Sequence, residues 1–110
     1  MSTLTSVERR RVVARVLSEV GRERDAQHAK WGEQNHPDGT GVDYDLHRDM
    51  ARLQCEQNHA AGHGSWLDIL LEEVYEAAAG DDVTNLRTEL LQVAAVAVAW
   101  VEAIDRRDES

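Results

Sequence analysis

The stretch LLEEVYEAAAGDD, Leu70–Asp82, decides how the chain folds. Leu70, Leu71, Val74, Ala77 and Ala78, with Leu67 just before them, supply the apolar side of a helix. Glu72, Glu73 and Glu76 crowd into a turn and a half of it, and Gly80 stops it. Upstream, Ser65 can cap this helix with Asp68 at the capping-box position. A short helix that carries leucines beside clustered carboxylates needs neighbours to bury the one and occupy the other.

Those neighbours are helical too. Asp43 to about Ala61 reads as a helix with Leu46, Met50, Leu53 and Cys55 facing other helices, ended by Gly62 and Gly64. A last helix begins near Thr84 and runs to about Arg107, roughly 35 Å at 1.5 Å per residue. Leu86, Leu90, Val93, Ala97, Trp100, Val101 and Ile104 mark its stripe, and VAAVAVAWV, Val93–Val101, is apolar all round. Burial on more than one side is met most simply by a partner subunit. The first helix is capped by Thr5 with Glu8 three residues on, and Val13, Val16, Leu17 and Val20 form its apolar stripe. Extended, that face becomes Arg24, Gln27, His28 and Trp31, either a helix end emerging into water or the lining of a pocket. Residues 31–42 are turn-rich, with Pro37, Asp38 and Gly39 suiting a tight turn. They form a plain connector or a cover over a site. No strand pattern competes, so the expectation is one all-α domain over residues 1–110. It is a compact four-helix bundle, with helices near 5–30, 43–61, 65–79 and 84–107, completed by oligomerisation.

Composition narrows the function classes. The 110 residues carry a net charge of −9, which argues against a broad basic face for nucleic acid. The run Arg9, Arg10, Arg11 gives residues 1–30 a local excess of +3 against −12 for the remainder. It reads as a solvated helix face or a salt-bridge partner between subunits. The single cysteine excludes an internal disulfide and moves the expectation to a reducing, cytoplasmic compartment. No secretory leader is visible, and the longest apolar run is far too short to cross a bilayer.

Glu73 and Glu76 are three apart, and Glu72 and Glu76 four apart, so these side chains can converge, with Asp68 a turn before. The following helix brings Glu89, with Gln92 a turn beyond, towards the same core. Two unit charges 4 Å apart interact by roughly 4 kcal/mol at an effective dielectric of 20 and by about 1 kcal/mol in water. Carboxylates that converge in a partly buried place therefore need a cation or shared protons. A solvated acidic face is one reading of the pattern. The other is a hard-cation site, whose oxygen ligands hold Mg²⁺ and direct its charge at phosphate oxygens.

From the helix preceding Gly62 through the long last helix, the chain resembles the MazG-like all-alpha nucleoside triphosphate pyrophosphohydrolases. Their EExxE turn followed by ExxD on the next helix is matched here by EEVYE, Glu72–Glu76, and ELLQ, Glu89–Gln92. The resemblance implies metal-dependent hydrolysis of a nucleoside triphosphate to the monophosphate and pyrophosphate, with Mg²⁺, or Mn²⁺ in its place. It implies Glu73, Glu76 and Glu89 as metal ligands, and Glu72 as a further ligand or as the group that orients or deprotonates water. The last acidic ligand of the pattern falls on Gln92, whose amide oxygen contributes no negative charge. That departure weakens one metal position, shifts ligation to Glu72, Asp81 or Asp82, or marks a member without catalysis. Arg24, Lys30 and Arg87 are the candidates for the phosphates, and Gln27, His28 and Trp31 for the base and sugar. A homodimer or homotetramer is the implied assembly. The competing function is a non-catalytic helical interaction or scaffold protein derived from this family, favoured by Gln92 and by the all-round apolar last helix.

Cys55, His59 and His63 are spaced four apart, which raises a zinc reading. Gly62 interrupts the helix between the histidines and no fourth ligand stands out, so a small core cysteine with exposed histidines is preferred. No P-loop ending accompanies HPDGTG, and no nucleophile and base are paired for a serine or cysteine hydrolase.

Overall fold

The computed structural model describes residues 3–80 and 82–108. It is all-α, a four-helix fold: α1 is Ser6–Trp31, α2 is Asp45–Ala60, α3 is Trp66–Ala79 and α4 is Val83–Asp108, with a 3₁₀ turn at Val42–Tyr44 before α2. The chain divides into two units, one of Met1–Pro37 with Val98–Ser110, the other of Asp38–Ala97. No helix among the described residues is long and apolar enough to cross a membrane.

In the first unit, α1 starts as its sequence dictates. Thr5 is the cap, and its hydroxyl accepts from the Glu8 amide at 3.1 Å. Of the stripe, Val16 is buried, at 1% exposure, and Val13 is half-buried, while Leu17 and Val20 are exposed. The helix runs one residue further than the loop-like composition of Trp31–Gly41 suggests. Trp31 is its last residue, and Gly32, at φ 67°, closes it with an N–H bond to the His28 carbonyl at 2.7 Å.

The second unit holds the α2/α3 pair, with the 3₁₀ turn packed against both. α2 ends in a full Schellman motif. Gly62, at φ 81°, donates to the His59 carbonyl at 3.1 Å, and His63 donates to the Asn58 carbonyl at 2.7 Å. Ser65 then opens α3 with the complete capping box: its hydroxyl accepts from the Asp68 amide at 3.1 Å, and Asp68 accepts from the Ser65 amide at 3.2 Å. The preceding loop is pinned to the other end of α3, where the Gly41 N–H donates to the Ala78 carbonyl at 2.8 Å. Gly41 sits at φ 143°, a conformation that favours glycine. α4 begins at Val83, next to the expected start near Thr84, and Asp82 caps it. The Asp82 carboxylate accepts from the Thr84 amide at 2.8 Å, and its carbonyl from the Leu86 amide at 2.8 Å.

One expected facing is wrong. Leu46, Met50 and Leu53 of α2 are 66%, 61% and 53% exposed, while Cys55 is buried. The residues that bond or pair with α3 are Arg52 and Asn58, spaced three either side of Cys55. At 3.6 residues per turn this face lies opposite the Leu46–Met50–Leu53 stripe. The α2 start also differs from the expected Asp43, because Val42–Tyr44 forms a 3₁₀ turn and the α-helical hydrogen-bonding begins at Asp45.

Candidate functional site

α2 and α3 run in opposite senses, and polar contacts cross between them. Near the turn, the Asn58 amide donates to both Asp68 carboxylate oxygens at 3.3 and 3.2 Å. That bond, with the Ser65 hydroxyl and amide, holds the Asp68 carboxyl below its ordinary value. Cys55 and Glu72 form the next contact. Burial first, then a hydrogen bond to the Glu72 carboxylate and its charge, push the Cys55 thiol up to about 11. Further along, the Arg52 guanidinium meets Glu76 at 3.4 Å.

The far side of the Glu72–Glu76 turn faces α4. Glu73, Glu76 and Glu89, all half-buried, each offer one carboxylate oxygen, and these oxygens lie within 4.8 Å of one another. The spacing of three along α3 puts Glu73 and Glu76 on adjacent turns of one face, and α4 contributes Glu89. Gln92 stands one turn beyond Glu89. With its amide nitrogen turned toward the carboxylates, it donates to Glu73 Oε2 at 3.1 Å and to Glu89 Oε2 at 3.0 Å. Burial, followed by the charges of Glu76, Glu89 and Glu72, raises the Glu73 carboxyl above its ordinary value. Repulsion between like charges is thus concentrated where three oxygens converge, the condition a cation relieves.

This chemistry suits a hard divalent cation, which takes carboxylate and amide oxygens at short range. The site brings together four of the five residues named as ligands: Glu73, Glu76, Glu89 and, through its amide, Gln92. Glu72 is not among the converging carboxylates; it faces Cys55 from α3. Asp82, a substitute ligand on the sequence reading, is engaged in capping α4, and Asp81 lies outside the described residues. The zinc reading of Cys55, His59 and His63 finds no support in their placement. His59 Nδ1 is 3.7 Å from the Cys55 sulfur and 2.9 Å from the Cys55 carbonyl oxygen, and among the described residues the three offer no converging set of ligand atoms.

The residues named for substrate separate into groups. In the first unit, Arg24, Gln27 and His28 line one open polar recess of about 500 Å³ together with the start of the following loop. There Arg24 donates to Gln27 Oε1 at 2.6 Å. Trp31 borders a neighbouring recess of about 460 Å³ with Glu33–His36, and the Lys30 ammonium lies 4.9 Å from the Trp31 ring centre. Arg87 belongs to the other unit and is exposed. It is two residues from Glu89, and thus about 200° round α4 from it.

Two features were missed by the sequence reading. Arg52 reaches Glu76 from α2 at 3.4 Å, a pairing with no local signal in the sequence. The other is a recess of about 170 Å³ in the second unit, bordered by Met50, Gln54, Leu71 and Tyr75. Beside it the Tyr75 ring stacks on His47 at 5.6 Å, and His47 in turn meets Tyr44 at 5.6 Å. The chain matches no family model, no curated protein and no solved structure.

Proposed function

We propose that Glu73, Glu76 and Glu89 hold a divalent metal ion, Mg²⁺ or Mn²⁺, and that the chain hydrolyses a nucleoside triphosphate to the monophosphate and pyrophosphate. The observation that carries the metal is the approach of three half-buried carboxylate oxygens to within 4.8 Å. The step from metal to reaction rests on the resemblance to the MazG-like pyrophosphohydrolases, with EEVYE on α3 and ELLQ on α4.

A divalent cation held by Glu73, Glu76 and Glu89 would neutralise charge on the phosphate oxygens and polarise them as a Lewis acid, making the α-phosphorus more open to attack. The residues do the rest. α3 and α4 fix the three carboxylates from two directions, so the ligand oxygens need little reorganisation. Gln92 holds Glu73 and Glu89 by its amide, and turning that amide over presents its oxygen instead. Glu72, outside the converging trio and bonded to the Cys55 thiol, would have to leave that thiol to orient an attacking water. In the reaction that water adds to the α-phosphorus, the bond to the bridging oxygen of the β-phosphate breaks, and pyrophosphate leaves. Arg24, Gln27, His28, Lys30 and Trp31 at the end of α1 are the proposed contacts of base, sugar and phosphate. A homodimer or homotetramer is the proposed assembly, consistent with the exposure of Leu46, Met50 and Leu53.

The test is pyrophosphate release from a panel of ribo- and deoxynucleoside triphosphates with Mg²⁺ or Mn²⁺, repeated with E73Q and E76Q. Turnover by the parent chain that either substitution abolishes is expected. No turnover by metal-loaded protein would sink the assignment for those substrates. The exposed α2 stripe and the uncharged Gln92 favour one second reading, a helical interaction protein without catalysis. Divalent binding that E73Q leaves unchanged would decide for it.

A further inference from the structure

We propose that Arg52 is a phosphate-binding residue of this site, held on Glu76 while the cation is absent and released to the ligand's phosphates when Glu76 turns to the cation. The inference rests on the metal reading above and names the ligand class as an oligophosphate anion.

Arg52 Nη2 lies 3.4 Å from Glu76 Oε1, and Glu76 is one of the three converging carboxylates. The arginine side chain is 46% exposed and the glutamate 23%. The guanidinium therefore stands at the solvent edge of the cluster, where a ligand can reach it, while its partner points inward. Among the described residues, this is the ion pair that reaches the carboxylate trio. Arg48, one turn earlier on α2, is already engaged by Asp45 at 3.5 Å and Asp49 at 3.1 Å, and Arg87 lies round α4 from Glu89. Arg52 is thus the arginine placed to serve the cluster.

Its pairing with Glu76 is the arrangement an acidic cluster adopts when arginine is the nearest cation. An exposed pair of this kind contributes little to stability, so little is lost when it opens. A divalent ion on Glu76 takes over the charge that Arg52 had compensated and repels the guanidinium. The freed fork then matches two oxygens of a phosphate, a geometry for which lysine is a poor substitute. A phosphate chain bridging to the cation lies within the sweep of the arginine's long stem.

The two roles have opposite signs, which makes them separable from a purely structural ion pair. Removing the charge should help the metal and harm the phosphate. The experiment uses the full chain with R52Q, R52K and E73Q. Mn²⁺ binding is measured first, by titration calorimetry in the absence of phosphate. Binding of inorganic tripolyphosphate as its magnesium complex is then measured at saturating Mg²⁺, with melting followed by circular dichroism throughout. R52Q is expected to bind Mn²⁺ about threefold to tenfold more tightly, since Glu76 loses a competitor. It is expected to bind tripolyphosphate roughly tenfold or more weakly. R52K should stay near the parent for Mn²⁺ and fall between the two for tripolyphosphate. Tripolyphosphate affinity unchanged in R52Q, or both affinities falling together with the melting temperature, would overturn the proposal. Loss of Mn²⁺ binding in E73Q beside an unmoved R52Q removes Arg52's role alone. Retention of Mn²⁺ binding in E73Q removes the metal reading and this inference with it.

Discussion

Replacing Glu73 by glutamine should reverse the order of stability of parent and variant according to whether metal is present. Two unit charges 4.8 Å apart repel by about 3.5 kcal/mol at an effective dielectric of 20 and about 0.9 kcal/mol in water. Glu73 faces two such partners. The site is only half-buried, Arg52 offsets Glu76, and Gln92 bridges Glu73 and Glu89, so the lower figure governs. Without metal, E73Q is expected to gain about 1 kcal/mol at neutral pH, a rise in melting temperature of roughly 4–8 °C for a chain of this size. The glutamine keeps the shape and can still pair with Gln92. With Mn²⁺ at a hundred times its dissociation constant the parent should gain about 2.7 kcal/mol, and the variant far less. Thermal unfolding in chelator and in Mn²⁺ reads both. The pH dependence follows in sign from the raised Glu73 carboxyl. Glu73 holds its proton more tightly folded than unfolded, so its contribution is full below the ordinary glutamate value of 4.5 and is lost as pH rises through the raised value. The advantage of metal-free E73Q should therefore shrink as pH falls toward that value. A metal-free variant less stable than the parent at neutral pH, or equal shifts with Mn²⁺, would refute the reasoning.

Ser65→Ala removes the hydroxyl that accepts from the Asp68 amide at the start of α3 and should cost about 1 kcal/mol in denaturant unfolding; no loss would show that the capping box is not holding the α2–α3 turn. Gly62→Ala places a Cβ at φ 81° and should cost about 1–2 kcal/mol by the same measurement, because the left-handed conformation penalises an L side chain. Cys55, with its thiol raised to about 11, should carry roughly one part in a thousand of thiolate at pH 8, so iodoacetamide should label the folded chain far more slowly than the unfolded chain; equal rates would show the thiol to be open.

The features legible in the sequence are those set by neighbours along the chain. Thr5 and Ser65 cap as expected because a hydroxyl and an amide three residues apart meet without help from the rest of the fold. Glu73 and Glu76 converge because helical spacing alone brings them close. Glu89 and Gln92 were placed near the same core by following the next helix, and the resemblance gave them roles, since no local rule sets which face of α4 meets α3. The facing of α2 was not legible for the same reason. Periodicity finds the stripe Leu46, Met50 and Leu53, but the face that meets α3 is built from Arg52, Cys55 and Asn58, where hydrogen bonds and an ion pair repay the burial. Arg52 pairs with a residue 24 positions away, beyond the reach of any spacing rule. The start of α4 falls within one residue of the expected Thr84, and the structure uses the Asp82 carboxylate as its cap.

Gln92 also bears on how many cations the trio can hold. Three carboxylates carry a charge near −3, or −2 while Arg52 stays on Glu76, and one divalent ion offsets most of it. An acid in place of Gln92 would add a fourth charge within hydrogen-bonding distance of Glu73 and Glu89, and a second cation would then be needed to offset it. With its nitrogen turned inward, the amide instead donates to both carboxylates at 3.1 and 3.0 Å, an orientation that without metal would hold together oxygens that otherwise repel. Because the two ends of an amide differ in sign, one rotation converts it from a donor facing anions to an acceptor facing a cation. Gln92 is therefore consistent with a metal centre of lower charge, one ion rather than two, and its departure from the acidic pattern does not by itself remove the capacity to bind metal.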